Sequence, residues 1–174
     1  MSMLHIASNN SKSYIIGLDE DCIQPNASEV RAGKILKVDL NTPFEISDQH
    51  KIMREVTEVP LDDEGYWNLD EGVYEVVYNF DEMYIADGES GWIVGRSSFG
   101  RCGITLESSL FDSGFRSKTA AGRLIVRGNG GCRIKYNTRI GQFILVESET
   151  LKLYDGSWGL NPDGTIKEHE KRYI

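Results

Sequence analysis

Three short runs hold most of the side chains able to do chemistry. Gly95-Arg96-Ser97-Ser98-Phe99-Gly100-Arg101 offers two guanidinium groups and two hydroxyls. Phe111-Asp112-Ser113-Gly114-Phe115 sets a carboxylate between aromatic rings, and Arg139-Ile140-Gly141-Gln142 adds an amide. Cations and hydroxyls hold phosphate oxygens, a carboxylate orients water, and a ring packs on a sugar or base. The set suits a charged, ring-bearing small molecule such as a nucleotide.

Each residue also has a plainer reading. Asp112 is either a turn residue, where Asp is common, or a base that directs water at phosphorus. Arg96 either holds phosphate or ties two subunits through a carboxylate. Ser97 and Ser98 contact phosphate or satisfy backbone groups in a tight turn. Phe115 is core or stacking surface, and Gln142 starts a strand and can pair across an interface. Glu29 can form an ion pair with Arg31 or another neighbour. Trp67, Trp92 and Trp158 read as packing residues, and the charged run 167–172 reads as solvated.

Short strands must position these groups. Lys34-Ile35-Leu36-Lys37-Val38-Asp39-Leu40 alternates as a half-buried strand does. Gly72-Val73-Tyr74-Glu75-Val76-Val77-Tyr78 is rich in β-branched and aromatic residues. Gly91-Trp92-Ile93-Val94 leads into the arginine-serine run. Arg123-Leu124-Ile125-Val126-Arg127 ends at Gly128-Asn129-Gly130-Gly131, a turn signal, and Cys132-Arg133-Ile134-Lys135-Tyr136 resumes the alternation. Gln142-Phe143-Ile144-Leu145-Val146 is a buried-strand run. Asp62-Asp63-Glu64-Gly65 reads as a surface loop, and residues 11–21 leave room for a helix. The pattern predicts an all-β barrel or sandwich.

The bulk numbers narrow the function. The chain's 174 residues suffice for one domain with a core, and 40% hydrophobic content predicts folding. Nineteen basic against 27 acidic residues give a charge of −8, which repels a nucleic-acid backbone. Cys22, Cys102 and Cys132 form no CxxC pair, read as small buried hydrophobes, and point to a reducing cytosol. The separated histidines His5, His50 and His169 argue against zinc. No apolar run approaches the ~20 residues of a membrane span, and the N-terminus lacks a signal-peptide pattern. The reading is therefore cytoplasmic, with neither nucleic acid nor membrane as partner.

On its motifs the chain resembles the superfamily of trimeric dUTPases and dCTP deaminases. Gln24-Pro25-Asn26-Ala27-Ser28-Glu29-Val30-Arg31-Ala32-Gly33 is similar to that family's first motif, and the arginine-serine-serine run to its second. Asp112 to Phe115 is similar to the third and Arg139 to Gln142 to the fourth, in the family's order, over residues 23–146. The resemblance implies a distorted jelly roll (a β-clip, dUTPase-like fold) assembled as a homotrimer with active sites between subunits. The turns Asp155-Gly156-Ser157 and Asn161-Pro162-Asp163-Gly164 and the charged run after them divide the chain into a β domain, residues 1–153, and a C-terminal arm, residues 154–174.

By resemblance, Arg96, Ser97 and Ser98 contact phosphates, and Arg101 matches a second arginine that deaminases carry. Asp112 lies near the sugar and the reacting water, Phe115 packs on the deoxyribose, and Gln142 reaches a phosphate at the subunit boundary. Residues 96, 112 and 142 should then converge on one cleft where protomers meet. Glu29 stands where the family usually carries an aspartate that reaches magnesium through water. The deaminase glutamate, about ten residues past the aspartate, has no counterpart in Ala120-Ala121-Gly122-Arg123-Leu124. The spacing implies a small insertion near residues 117–121. The glycine-rich C-terminal lid is missing, since Gly128-Asn129-Gly130-Gly131 precedes the fourth motif and reads as a hairpin turn; Trp158 is a candidate replacement ring.

The resemblance implies a magnesium-assisted deoxynucleoside triphosphate hydrolase taking dUTP to dUMP and pyrophosphate. The alternatives are a dCTP deaminase-like enzyme, or an inactive trimer serving as a structural or binding module within a larger, virion-associated assembly. Such a nucleotide-pool protein suits a virus or a microbe.

Overall fold

The computed structural model describes residues 2–174. Met1, the first residue of the expected β domain, lies outside them. In chain order the strands are β1 (Met3–Leu4), β2 (Tyr14–Ile16), β3 (Ser28–Val38), β4 (Glu45–Ile46), β5 (Lys51–Ile52), β6 (Val56–Glu58), β7 (Tyr66–Leu69) and β8 (Gly72–Tyr78). They continue as β9 (Glu82–Tyr84), β10 (Glu89–Gly95), β11 (Ile104–Glu107), β12 (Arg116–Ser117), β13 (Ala121–Val126), β14 (Cys132–Lys135) and β15 (Arg139–Glu147). One α-helix, α1 (Ser97–Arg101), follows β10, and short 3-10 turns cover Glu20–Cys22 and Glu168–Tyr173.

The all-β expectation holds, and the sheet closes on itself. β3, β15, β10, β11, β13 and β8 pair antiparallel in that order, and β8 returns to β3. Closure removes the free edges that an open sheet would present. Alternation along the strands fills the interior: Tyr74, Val76 and Tyr78 of β8 meet Ile93 of β10, Leu124 of β13 and Phe143 of β15. Val77 points the other way, into a second cluster with Leu36 and Tyr173.

A bulge sets which residues of β3 face inward. Its register against β8 shifts between Ala32 and Lys34, so Val30 and Ala32 face the core before it and Ile35 after it. Gly33 sits at the shift, where a Cβ would stand 3.2 Å from the Asn79 backbone. Glu29 and Arg31, odd-numbered and before the bulge, are thereby turned to the outer face.

Four expectations need correction. Residues 11–21 form no helix; Tyr14–Ile16 pairs with β9, and the segment before it is held by Glu89. Gly128-Asn129-Gly130-Gly131 is no hairpin turn, because β13 stays in the barrel while β14 pairs with β7. The charged run 167–172 is not wholly solvated: Glu170 is buried. Cys102 is exposed, although Cys22 is buried. Among the described residues no helix is long and apolar enough to cross a membrane.

Glu89 anchors the N-terminal segment. Its buried carboxylate accepts from Ser11 Oγ (3.0 Å), Lys12 N (2.8 Å), Ser13 N (3.1 Å) and the Ser13 hydroxyl. Burial pushes this carboxyl up, but the donors from Ser13, Lys12 and Ser11 outweigh it and leave it below the usual range. A depressed carboxylate contributes stability above its unfolded pKa and loses it as pH falls through the folded one. Glu89→Gln should cost about 2 kcal/mol at pH 7. In thermal melts the gap from wild type should narrow as pH is lowered through the folded value.

Candidate active site

The outer face of the barrel builds the first half of the site. Gln142 of β15 pairs with Val94 of β10 on one side and with Glu29 of β3 on the other. The three share one row because cross-strand partners point the same way. Glu29 is nevertheless only 4% exposed, since two guanidinium groups cover it. Arg96 Nε lies 2.8 Å from Oε1, and Arg139 Nη1 lies 2.9 Å from Oε2. Arg96 Nη1 also donates to the Arg139 carbonyl at 3.3 Å. A buried carboxylate needs such partners, and here they bring the second and fourth motifs together.

This arrangement decides between readings of Glu29. Each of its oxygens faces an arginine, although Oε2 makes no hydrogen bond. It is an ion-pair residue, and its partners are Arg96 and Arg139 rather than Arg31. Arg31 instead holds Asp19 at 2.9 Å and Asp21 at 2.6 Å. It thereby supplies the cation for the one cluster of metal-ligating types found among the described residues, Asp19, Asp21 and Cys22.

Beyond Glu29, Arg96 stands just before α1 in extended conformation, with φ −62° and ψ 149°. That break ends β10 and turns Ser97 and Ser98 outward; both are exposed, as is Arg101. The Arg96 side chain keeps 37% of its surface in solvent. Residues 96, 97, 98, 101 and 142 therefore lie around one end of β10.

Asp112 lies at the other end. Phe111 exchanges backbone hydrogen bonds with Gly91, at 3.1 and 2.7 Å, and Asp112 follows it. Arg96 stands five residue steps beyond Gly91, roughly 16 Å at the usual rise. Within one chain, residues 96 and 142 therefore lie near one end of β10 and residue 112 near the other. Asp112 is exposed in an open cleft bordered by residues 148–155.

Phe115 follows the Asp112 turn and is 6% exposed. It stacks on Phe111 at 5.2 Å and meets the edge of Tyr154 at 5.4 Å. It also lines a cavity of about 310 Å³ with Ala120, Gly122, Tyr154 and Trp158. Its packing is thus core on one side and cavity wall on the other.

The segment read as an arm roofs that cavity. Leu160 N donates to the Arg116 carbonyl at 2.7 Å, and Gly159, at φ +82°, would carry a Cβ only 2.3 Å from the same oxygen. Glu170, 2% exposed, accepts from the Ser117 hydroxyl, Thr119 Oγ1 (2.8 Å) and Gly159 N (2.9 Å). The tip between β12 and β13, where an insertion was expected, is thus the part the arm grips. Trp158 stacks on Tyr173 at 5.6 Å. Glu170, Tyr173 and Glu75 escaped sequence reading, because a charged run and a lone strand glutamate look the same whether solvated or buried.

Comparison with known proteins places this geometry. The family model described as dCTP deaminase-like matches residues 4–148. A probable deoxyuridine 5'-triphosphate nucleotidohydrolase of Methanosarcina acetivorans is 29% identical over 139 residues, 79% of this chain and 80% of that protein. The deoxyuridine 5'-triphosphate nucleotidohydrolase of Methanocaldococcus jannaschii is 28% identical over 153 residues, 87% of this chain and 96% of its own. In fold, the chain is similar to a 2'-deoxycytidine 5'-triphosphate deaminase from Agrobacterium tumefaciens. The TM-score is 0.58 at 14% identity, over 79% of this chain and 44% of that one.

Two variants test the site's supports. Glu29→Ala leaves Arg96 and Arg139 facing each other and should cost about 1–3 kcal/mol in denaturant unfolding. Glu170→Ala should release residues 154–174 to limited proteolysis while the barrel stays resistant.

Proposed function

Because the chain belongs to the dCTP deaminase-like family, we propose that it is a deoxynucleoside triphosphate hydrolase converting dUTP to dUMP and pyrophosphate. The observation that carries this is the outward-facing pair of guanidiniums, Arg96 and Arg139, beside the Gln142 amide around buried Glu29, on a chain whose relatives are named dUTP nucleotidohydrolases. Arg96, Ser97, Ser98, Arg101 and Gln142 hold the triphosphate, where fixed donors offset charge as the α-phosphorus is attacked. Asp112 takes a proton from water; the water oxygen bonds the α-phosphorus, and the bond to the β-phosphoryl oxygen breaks, releasing pyrophosphate. Phe115 packs against the deoxyribose. No step is routed through Glu29 to a metal.

The separation of Asp112 from Arg96 in one chain supports a homotrimer. Asp112 and Phe115 of one protomer would face Arg96 and Gln142 of the next, so each site needs two copies. The absence of a carboxylate in residues 120–124 favours hydrolysis over deamination. A second reading, a trimer that keeps the fold without the chemistry, draws on the commitment of Glu29 to arginines and on the roof over Phe115.

Purified protein incubated with dUTP or dCTP, in magnesium and in EDTA, should release pyrophosphate and dUMP from dUTP. Asp112→Asn should lower kcat by about 10²- to 10⁴-fold with a small change in KM. Arg96→Ala should chiefly raise KM. Ammonia from dCTP would establish deamination, and no turnover of either would leave the non-catalytic trimer. Sedimentation should show three copies.

A further inference from the structure

Beside Asp112 two hydroxyls form a chain of hydrogen bonds that the proposed reaction does not use. Ser113 is buried and its neighbour Asp112 is exposed, so the turn sends one side chain inward and the other into the cleft. The Ser113 hydroxyl donates to the Glu89 carbonyl at 2.6 Å and lies 2.7 Å from Thr150 Oγ1. Thr150 Oγ1 accepts from Gly88 N at 2.9 Å.

These contacts fix the direction of every bond. A hydroxyl has one O–H to give. Ser113 gives its own to Glu89, so the proton between the two hydroxyls comes from Thr150. The order is Gly88 N–H to Thr150, Thr150 O–H to Ser113, and Ser113 O–H to the Glu89 carbonyl. Both ends are anchored. The Gly88 carbonyl accepts from Ser148 N at 2.9 Å, and the Glu89 carboxylate holds residues 11–13. The turn has further ties of its own: the Ser113 carbonyl accepts from Tyr154 N at 2.8 Å, and Gly114 N donates to the Ile85 carbonyl at 2.8 Å. The segment after β15 therefore grips the Asp112 turn at two points, Thr150 and Tyr154.

We propose that Thr150 is a positioning residue: its hydroxyl, acting through Ser113, holds the Asp112 turn so that the carboxylate faces the attacking water. The inference rests on the hydrolase reading above and adds to it a residue outside all four motifs. Loss of the Thr150 hydroxyl leaves Gly88 N without its acceptor and Ser113 Oγ without its donor, and the turn shifts to recover them. A general base works only within hydrogen-bond reach of the proton it takes, and a displacement of ~1 Å can cost about 10²-fold in rate.

The test is steady-state hydrolysis of dUTP by the full chain, comparing wild type with Thr150→Val, Thr150→Ser and Ser113→Ala. Thr150→Val keeps the shape and removes the hydroxyl; it should lower kcat about 10-fold and leave KM within about 2-fold. Ser113→Ala should do the same, and it reads the same chain of bonds if Thr150→Val fails to fold. The double variant should fall no further than the worse single one, because both break one network. Thr150→Ser restores the O–H and should return kcat to within about 3-fold of wild type. In an Asp112→Asn background, Thr150→Val should change the residual rate by less than about 2-fold, which a general loosening of the fold would not give. Retention of kcat within about 2-fold in both Thr150→Val and Ser113→Ala would overturn the assignment, as would an equal loss with and without Asp112; either result spares the hydrolase reading. Absence of dUTP turnover in wild type would overturn both.

Discussion

One buried carboxylate organises the outer face of this barrel. Glu29 is turned outward by the register of β3, yet it is shielded by Arg96 and Arg139 from β10 and β15. Removing a carboxylate from water is expensive, and two guanidinium groups are what make it tolerable here. In return, each arginine acquires a fixed direction. Arg96, at the break between β10 and α1, could otherwise sample many rotamers. The pair keeps its head group beside Gln142 with part of its surface open to solvent.

Closure of the barrel explains why that contact exists at all. The pairing of β15 with both β10 and β3 places Gln142 between Val94 and Glu29. The register shift on β3 decides that Glu29 shares the outer face. The same geometry also separates functions. β10 carries Arg96 beyond one end and pairs near Asp112 at the other, so a single copy cannot bring both to one phosphate. Assembly in the proposed trimer would turn this separation into a shared site.

The C-terminal segment closes the second half of the molecule by polar means. Glu170 is enclosed by two hydroxyls and a backbone N–H from the β12–β13 tip and from Gly159, while Arg172 reaches Glu75 on the barrel. Trp158 and Tyr173 add apolar contact. Carboxylates at residues 75 and 170 thus serve opposite sides of one interface.

The sequence by itself determined six of the strands and the family. Apolar alternation and β-branched or aromatic content marked β8 to its ends, most of β10, β13, β14 and β15, and the second half of β3, because these are local properties. Motif order marked residues 96, 97, 98, 101, 112, 115 and 142. Only the tertiary structure decided how these groups associate. Whether Gly128-Asn129-Gly130-Gly131 folds a hairpin or crosses between sheets depends on which distant strand, β7 or β13, satisfies the hydrogen bonds of β14. Whether Glu29 meets a metal or arginines depends on residues more than sixty positions away. Whether Glu75 and Glu170 are solvated depends on the return of the chain over the barrel. Burial and ion pairing are set by long-range contacts, and nothing in a local window of residues encodes them.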